Sequence, residues 1–391
     1  MKKNIMFIIP TLCGGGAEKT VANLSNYLNK YYNIDIVVFK DTETKYAYSG
    51  NLTILSEKKY KGFFRKILFT IKSISKLKKL KREKNIDYAI SFLTQADALN
   101  VFSKVRGTKT LISIRNTDSI LMKKSFLKLI TYISCKKCDH IVSISNQVKD
   151  DLINNFNINE NKITNIYNPS LKIEFGKNKM KLKDDFFEND VCINVARMVD
   201  QKGQWHLIRA FSKVVSKNPK AKLIILGEGN LENYLKKLID EYNLNENILT
   251  LGFVDNPYDY IKKSKCFVFS SLHEGLGNSI LEAMACSIPI ISSDCISGPR
   301  EILAPKSNYK NKVTDKIDYA EFGILVPVCD GVKRNSKESL TFEEELMATA
   351  IIQFFEENKF IHYKTMSEKR SKDFDIIQIV EQWHKLLKRL S

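Results

Sequence analysis

No apolar run in this chain of 391 residues approaches the roughly 18 residues of a membrane-spanning helix, so nothing in it is expected to cross a bilayer. Neither G-x-G-x-x-G nor G-x-x-x-x-G-K-[ST] occurs, which removes the usual support for a dinucleotide-dependent dehydrogenase and for a P-loop nucleotidase. Short-period repeats and low-complexity tracts are absent too, so a solenoid or an array is excluded. Acidic residues are in deficit, with 44 Asp and Glu against 62 Lys and Arg and a formal charge of +18. The opening "MKKNIMFIIPTLCGGG" has an apolar core of about five residues before Pro10, short of the roughly 7 a secretory leader needs, and reads as a first strand. Eight scattered cysteines without a leader then imply reduced thiols and a cytoplasmic setting. Cys135 and Cys138 form an isolated C-x-x-C without visible partner ligands, and no zinc or redox centre is expected there.

What is present is enough for two or three domains at roughly 150 residues each, with 43% hydrophobic residues to build their cores. The positive balance favours phosphate-bearing partners: nucleic acid, anionic lipid or a nucleotide substrate. Strand patterns at "NIMFIIP", "NIDIVVF", "LTILS", "DYAISF", "KTLISIR", "HIVSIS" and "KITNIYN" alternate with helical ones, predicting a parallel, doubly wound α/β sheet. After Asn168 and Pro169 the polar stretch "LKIEFGKNKMKLKDDFFEND" reads as a linker. The alternation restarts at "VCINVAR" and runs through "KLIILGEG", "ILTLGFV", "CFVFSS", "PIISSD" and "FGILVP" as a second α/β domain. "SNYKNKVTDKIDYAE" and "CDGVKRNSKESLTF" read as loops, and "FDIIQIVEQWHKLLKR" as a last amphipathic helix.

In open α/β sheets, ligands sit outside the carboxyl ends of the strands. Three strand-to-helix loops therefore matter. "SSLHEGLGNSILEAMA", residues 271–286, places Glu274 in a glycine-rich turn and Glu282 about one turn into a helix, with Gly277 or Asn278 as its cap. Unpaired N–H groups and the dipole at such a helix end favour an anion, and two carboxylates can accept from its hydroxyls. In "ARMVDQKGQWH", the Arg197 fork and the Lys202 ammonium precede a helix start and suit a diphosphate. The third loop, "PTLCGGGAEK", carries Gly14, Gly15 and Gly16 ahead of a helix.

With "LGEG", "LGFV", "GPREIL" and the two-glutamate element in that order and spacing, the chain resembles the retaining glycosyltransferases of family 4, of GT-B fold. "FIIPTLCGGGAEKTVANLSNYL" is similar to members that build bacterial surface polysaccharides and lipid-linked oligosaccharides. The resemblance implies two Rossmann-like domains facing each other across a cleft. Residues 1–172 would be the acceptor-binding domain, joined by a C-terminal helix, 374–391, that crosses back to it; residues 188–373 would bind the nucleotide-sugar, a UDP-sugar by preference. Glu274, Arg197 and Lys202 then correspond to catalytic residues. Glu282, Gly275, Leu276, Gly277, Asn278, Gly15 and Gly16 correspond to donor-binding ones, with Glu282 on the ribose. Where many relatives carry a histidine near the donor sugar this chain reads "SIRNTD", leaving Arg115 or Asn116 for that role, with His273 as a further sugar contact; His140 is expected to be structural.

Two bases and a helix end facing the diphosphate make a bridging cation unnecessary, so no metal or other cofactor is expected. The D-x-D at Asp373 and Asp375 opens the last helix, where charge and capping account for it. Residues 58–84 hold twelve Lys or Arg and one Glu, with Phe64, Ile67, Leu68, Ile71, Ile74 and Leu77 at helical spacing. That pattern, and a second basic helix "LMKKSFLKLITYISCKK", suit peripheral docking on an anionic inner membrane face, where a lipid-linked or glycan acceptor would be met. Scaffold packing accounts for the same stripe equally well. A nucleic-acid partner is not expected, since no interleaved aromatic and basic recognition element appears. The remaining rival keeps the fold but makes the protein a sugar-nucleotide epimerase or a soluble sugar synthase.

Overall fold

The computed structural model describes residues 2–40, 44, 46–56, 63–117, 126–170, 173, 175–176, 180–357 and 359–391, leaving aside the side chains of residues 56 and 63–66. Each strand pattern of the first half becomes a strand: β1 (Asn4–Ile9), then α1 (Gly16–Leu28), β2 (Asn33–Lys40), β3 (Asn51–Ser56), α2 (Phe63–Glu83), β4 (Tyr88–Phe92), α3 (Thr94–Phe102), β5 (Lys109–Ile114), α4 (Phe126–Lys137), β6 (His140–Ser143), α5 (Asn146–Phe156) and β7 (Ile163–Asn165). They form one parallel sheet in the order β3-β2-β1-β4-β5-β6-β7. Helices cover both faces of such a sheet, which is why β1 and β4 are apolar almost throughout rather than alternating. Ala17, Val21, Leu24 and Leu28 supply the buried stripe of α1.

A second sheet follows from β8 (Val191–Val195), α6 (Gln204–Lys217), β9 (Lys222–Leu226), α7 (Glu232–Glu241), β10 (Ile248–Gly252), α8 (Tyr258–Lys263), β11 (Cys266–Phe269), α9 (Asn278–Ala285), β12 (Ile290–Ser293), α10 (Pro299–Leu303), β13 (Asp318–Ala320) and β14 (Gly323–Val326). Its order is β10-β9-β8-β11-β12-β14-β13. Three helices close the chain: α11 (Phe342–Glu356), α12 (Phe360–Ser371) and α13 (Ile376–Arg389). Thr341 and Glu344 form a reciprocal capping box that starts α11.

The chain divides into one compact unit of residues 1–169 with 377–391 and another of residues 170–376. The expected return of the last helix to the first unit is observed. There Trp383, Leu386 and Leu387 of α13 are buried, the Trp383 ring lies 6.4 Å from that of Phe92, and Tyr88 donates its hydroxyl to the Leu387 carbonyl at 2.8 Å.

Three sequence expectations need correction. The stretch read as a loop ends in β13, which pairs antiparallel with β14; three residues at a sheet edge are too short to show a period. The supposed linker belongs to the second unit: its Gly176 and Lys181 amides donate to Asp259 and to the Tyr260 hydroxyl of α8, and residues 184–188 form a 3₁₀ turn. The apolar stripe of α2 divides. Leu77 and Ile74, with Phe69, pack on the sheet, whereas Ile67, Leu68 and Ile71 are 41%, 53% and 59% exposed; the side chain of Phe64 lies outside the described residues.

Candidate active site

In the second sheet β8 and β11 are neighbours from which the chain winds in opposite directions. Their carboxyl ends therefore bound the crevice where open α/β sheets hold ligands. Residues 196–203 leave β8 and residues 270–277 leave β11, so two loops separated by about seventy residues of sequence run side by side. Backbone contacts stitch them together. Ser270 donates its hydroxyl to the Lys202 carbonyl at 2.8 Å, and the Leu272 amide donates to the Gln201 carbonyl at 2.9 Å. Gly203 sits at φ 57, and a Cβ there would lie 2.5 Å from the Ser270 carbonyl oxygen, so only glycine lets the loops approach.

Lys202 ends a 3₁₀ turn, Asp200–Lys202, and donates to Glu274 Oε1 in an ion pair largely withdrawn from solvent, with its ammonium 5.9 Å from the centre of the Phe269 ring. Glu274 is buried in turn, its amide bonded to the Ile296 carbonyl at 3.1 Å. Gln201, which sequence reasoning did not single out, bridges the pair's surroundings by donating to the His273 carbonyl at 2.9 Å and to Glu274 Oε2 at 3.4 Å. Its sequence signal is only its place between Arg197 and Lys202. Arg197 is exposed at the mouth of the first loop, and its guanidinium has no partner among the described residues.

Past Glu274, Gly275 and Leu276 are buried, and Gly277, at φ 93, is the N-cap of α9, with no side chain capping the helix. Asn278 is the first helical residue, and Glu282 lies half-buried one turn on. The ring of His273 is half-buried with Nδ1 enclosed and unbonded, and burial holds its pKa below the usual range, so it is neutral at pH 7.

Gly15, Gly16, Arg115 and Asn116 belong to the first unit, at the carboxyl edge of its own sheet. The Arg115 guanidinium is already engaged: it donates to Asn168 Oδ1 at 2.5 Å and to Thr20 Oγ1 at 3.2 Å, and stands 5.5 Å from the centre of the Phe92 ring. Asn116 is half-buried beside it. His140 is buried under α13 with Nε2 2.8 Å from Thr164 Oγ1, a structural setting. Of the D-x-D pair, Asp373 forms an ion pair with Arg370 at 2.7 Å. Cys135 and Cys138 are buried, and among the described residues no cluster of three metal-ligating side chains occurs.

A basic loop and a carboxylate-bearing turn at one helix end can hold a diphosphate and the hydroxyls attached to it. Comparison with known proteins bears on that chemistry. Residues 178–321 match the family model of glycosyl transferases group 1, and residues 14–169 that of Glycosyltransferase Family 4. An uncharacterized glycosyltransferase of Methanocaldococcus jannaschii is 34% identical over 81% of this chain and 83% of its own length. The N-acetylgalactosamine-N,N'-diacetylbacillosaminyl-diphospho-undecaprenol 4-alpha-N-acetylgalactosaminyltransferase of Campylobacter jejuni is 30% identical over 99% of this chain and 100% of its own. The protein belongs to the group 1 glycosyltransferases. Among solved structures, Anabaena HepE in complex with UDP superposes on this glycosyltransferase with a TM-score of 0.73 at 15% identity, covering 99% of this chain and 100% of that one. The glycosyltransferase thus has the GT-B fold that its sequence motifs imply.

Proposed function

We propose that this glycosyltransferase moves a sugar from a UDP-sugar to a lipid-linked glycan acceptor with retention of anomeric configuration and without a metal ion. The observation that carries the reading is the pairing of Lys202 with Glu274 between the two loops at the second sheet's switch point, beside the uncapped start of α9. On this reading the donor diphosphate lies between Arg197, Lys202 and that helix end, and Glu282 accepts from ribose hydroxyls. As the glycosidic bond breaks, positive charge grows at the anomeric carbon and negative charge on the leaving phosphate. Two cations and a helix N-terminus stabilise that phosphate most in the transition state. The acceptor oxygen bonds the anomeric carbon as the phosphate departs, and its proton passes to the leaving phosphate oxygen on the same face, so the configuration is kept. Glu274, already bound to Lys202, serves the donor sugar electrostatically rather than as a nucleophile. UDP in HepE and the diphospho-undecaprenol acceptor in the Campylobacter relative's name support the two substrate classes.

With a lipid-linked acceptor, the reaction on this reading takes place at the inner face of a membrane. Ile67, Leu68 and Ile71 of α2 and Phe126 and Leu129 of α4 are exposed, with Lys72 and Lys79 beside them and α3 packed against both helices. A basic, apolar layer of this kind suits peripheral docking on anionic lipid. The deciding experiment offers the purified protein a panel of nucleotide-sugars in EDTA, with a short-chain prenyl diphosphate carrying a terminal N-acetylhexosamine as acceptor. One UDP-sugar is expected to be used, with an α-linked product by NMR. Activity that needs magnesium or manganese, or a product of inverted configuration, refutes the mechanism.

A further inference from the structure

In the second sheet β11 lies between β8 and β12, so the turn carrying Glu274 has the loop from β8 on one side and residues 294–298, which leave β12, on the other. The β12 side is tied to that turn residue by residue. Ser293 donates its hydroxyl to the Ser271 carbonyl at 2.6 Å, His273 and Ile296 form a parallel bridge, and Ser297 donates its hydroxyl to the Gly275 carbonyl at 2.7 Å. At Gly298, φ 105, a Cβ would lie 1.8 Å from the Leu276 carbonyl oxygen. Behind them the buried Asp294 accepts from Arg300 Nε and from the Val313 amide, both at 2.8 Å, which fixes the start of the loop. Ser297 is fully buried and sits at φ 69, a left-handed conformation that strains any residue but glycine. Glycine would hold this backbone freely; what serine adds is the hydroxyl.

A trans peptide points its C=O and N–H in opposite directions. The peptide joining His273 to Glu274 shows the two sides: its N–H donates to the Ile296 carbonyl toward β12, and its C=O accepts from Gln201 at 2.9 Å toward β8. The peptides after Gly275 and Leu276 are reversed. Their carbonyls meet Ser297 and Gly298, so the N–H groups of Leu276 and Gly277 face the β8 side, which carries Arg197 and Lys202. Neither N–H has an acceptor among the described residues. We infer that Ser297 is a positioning residue for the donor: its hydroxyl holds the Gly275 carbonyl out of the crevice, so that the Leu276 and Gly277 amides donate to the donor diphosphate. The inference rests on the transferase reading above. Without that bond the peptide after Gly275 is free to flip, which would turn a carbonyl oxygen toward the phosphates in place of an N–H. Ser297 itself touches neither substrate.

The test titrates the full chain with UDP by calorimetry and then measures transfer from the UDP-sugar it prefers to a short-chain prenyl diphosphate bearing a terminal N-acetylhexosamine. Ser297→Gly removes the hydroxyl and the backbone strain together, so its unfolding temperature is expected to stay within a few degrees of the parent's. Its Kd for UDP is expected to rise fivefold or more and its kcat/KM for the donor to fall tenfold or more, with the acceptor KM within twofold. Ser297→Ala keeps the strain, loses the hydroxyl and shows the same rise in Kd, while Ser297→Cys, whose thiol is a weak donor, recovers part of the affinity. A UDP Kd within twofold of the parent in both the Gly and the Ala variant overturns the inference. So does an acceptor KM that rises with the donor's, or a Ser297→Gly chain that melts far below the parent, since either marks a general loss of structure. A parent chain that binds neither UDP nor any UDP-sugar refutes the underlying function, and this inference with it.

Discussion

Lys202 bonds Glu274 within the chain and, on the proposed reading, also meets the donor diphosphate; Glu282 lies on the helix whose start faces the same ligand. On that reading, truncating either residue removes hydrogen bonds to the donor without opening a core cavity. Lys202→Ala and Glu282→Ala should each weaken donor binding by about 1.5–3 kcal/mol, a ten- to hundredfold rise in Kd, readable by calorimetry with UDP-sugar. Wild-type donor affinity in both variants removes these residues from the site. A different residue governs acid stability. Burial, and then the charges of Arg389 and Lys162, push the pKa of His140 down to about 4, against 6.5 in an unfolded chain. Between those values the unfolded chain binds the extra proton, so stability falls as pH drops from 6.5 to 4, by about 3 kcal/mol at most. His140→Gln should flatten that part of the stability profile in urea titrations; a parent and variant with parallel profiles disprove the assignment.

At the scale of elements, α2 is the one whose sequence and setting diverge most. Its exposed lysines are not equivalent: Lys76 donates to the Ile54 carbonyl at 2.8 Å on the edge strand β3 and Lys79 stands 3.6 Å from Glu83 one turn on, while Lys72 projects from the same helix. Each exposed base near an anionic surface contributes about 1 kcal/mol. Lys72→Glu with Lys79→Glu should therefore lower flotation with anionic vesicles severalfold, with no change on neutral ones and no loss of fold by circular dichroism. Equal recovery of parent and variant would make α2 scaffold alone. The same helix marks what sequence could reveal. Parallel strands were legible because burial on both faces leaves near-continuous apolar runs such as Phe7–Ile9 and Leu223–Leu226, and a helical period told that α2 exists. It did not tell which part of the stripe faces inward, since that depends on where Phe69 meets the sheet. Arg197, Lys202 and Glu274 were legible as residues on strand-end loops, and Glu282 as a residue one turn into the helix that follows. Gln201 was not, because its contacts to the second loop depend on strand order, which has no spacing in the sequence.

For the whole molecule, the decisive feature is α13, contributed by the last residues of the chain to the unit built from the first. Ile379, Val380, Trp383, Leu386 and Leu387 are buried there, and at about 2 kcal/mol for each apolar side chain their removal approaches the 5–15 kcal/mol that holds a typical domain folded. Deleting residues 377–391 should therefore leave the first unit unfolded at 37 °C while residues 170–376 remain cooperative, a result that limited proteolysis with mass spectrometry would display. A truncated chain that resists protease throughout contradicts the burial. On the ribosome this arrangement sets an order of events. Every residue of the second unit emerges before α13 does, and at 5–20 residues per second the first unit waits tens of seconds for its final helix. The half synthesised first is the half completed last, and its unfinished apolar face is what a chaperone would meet during translation.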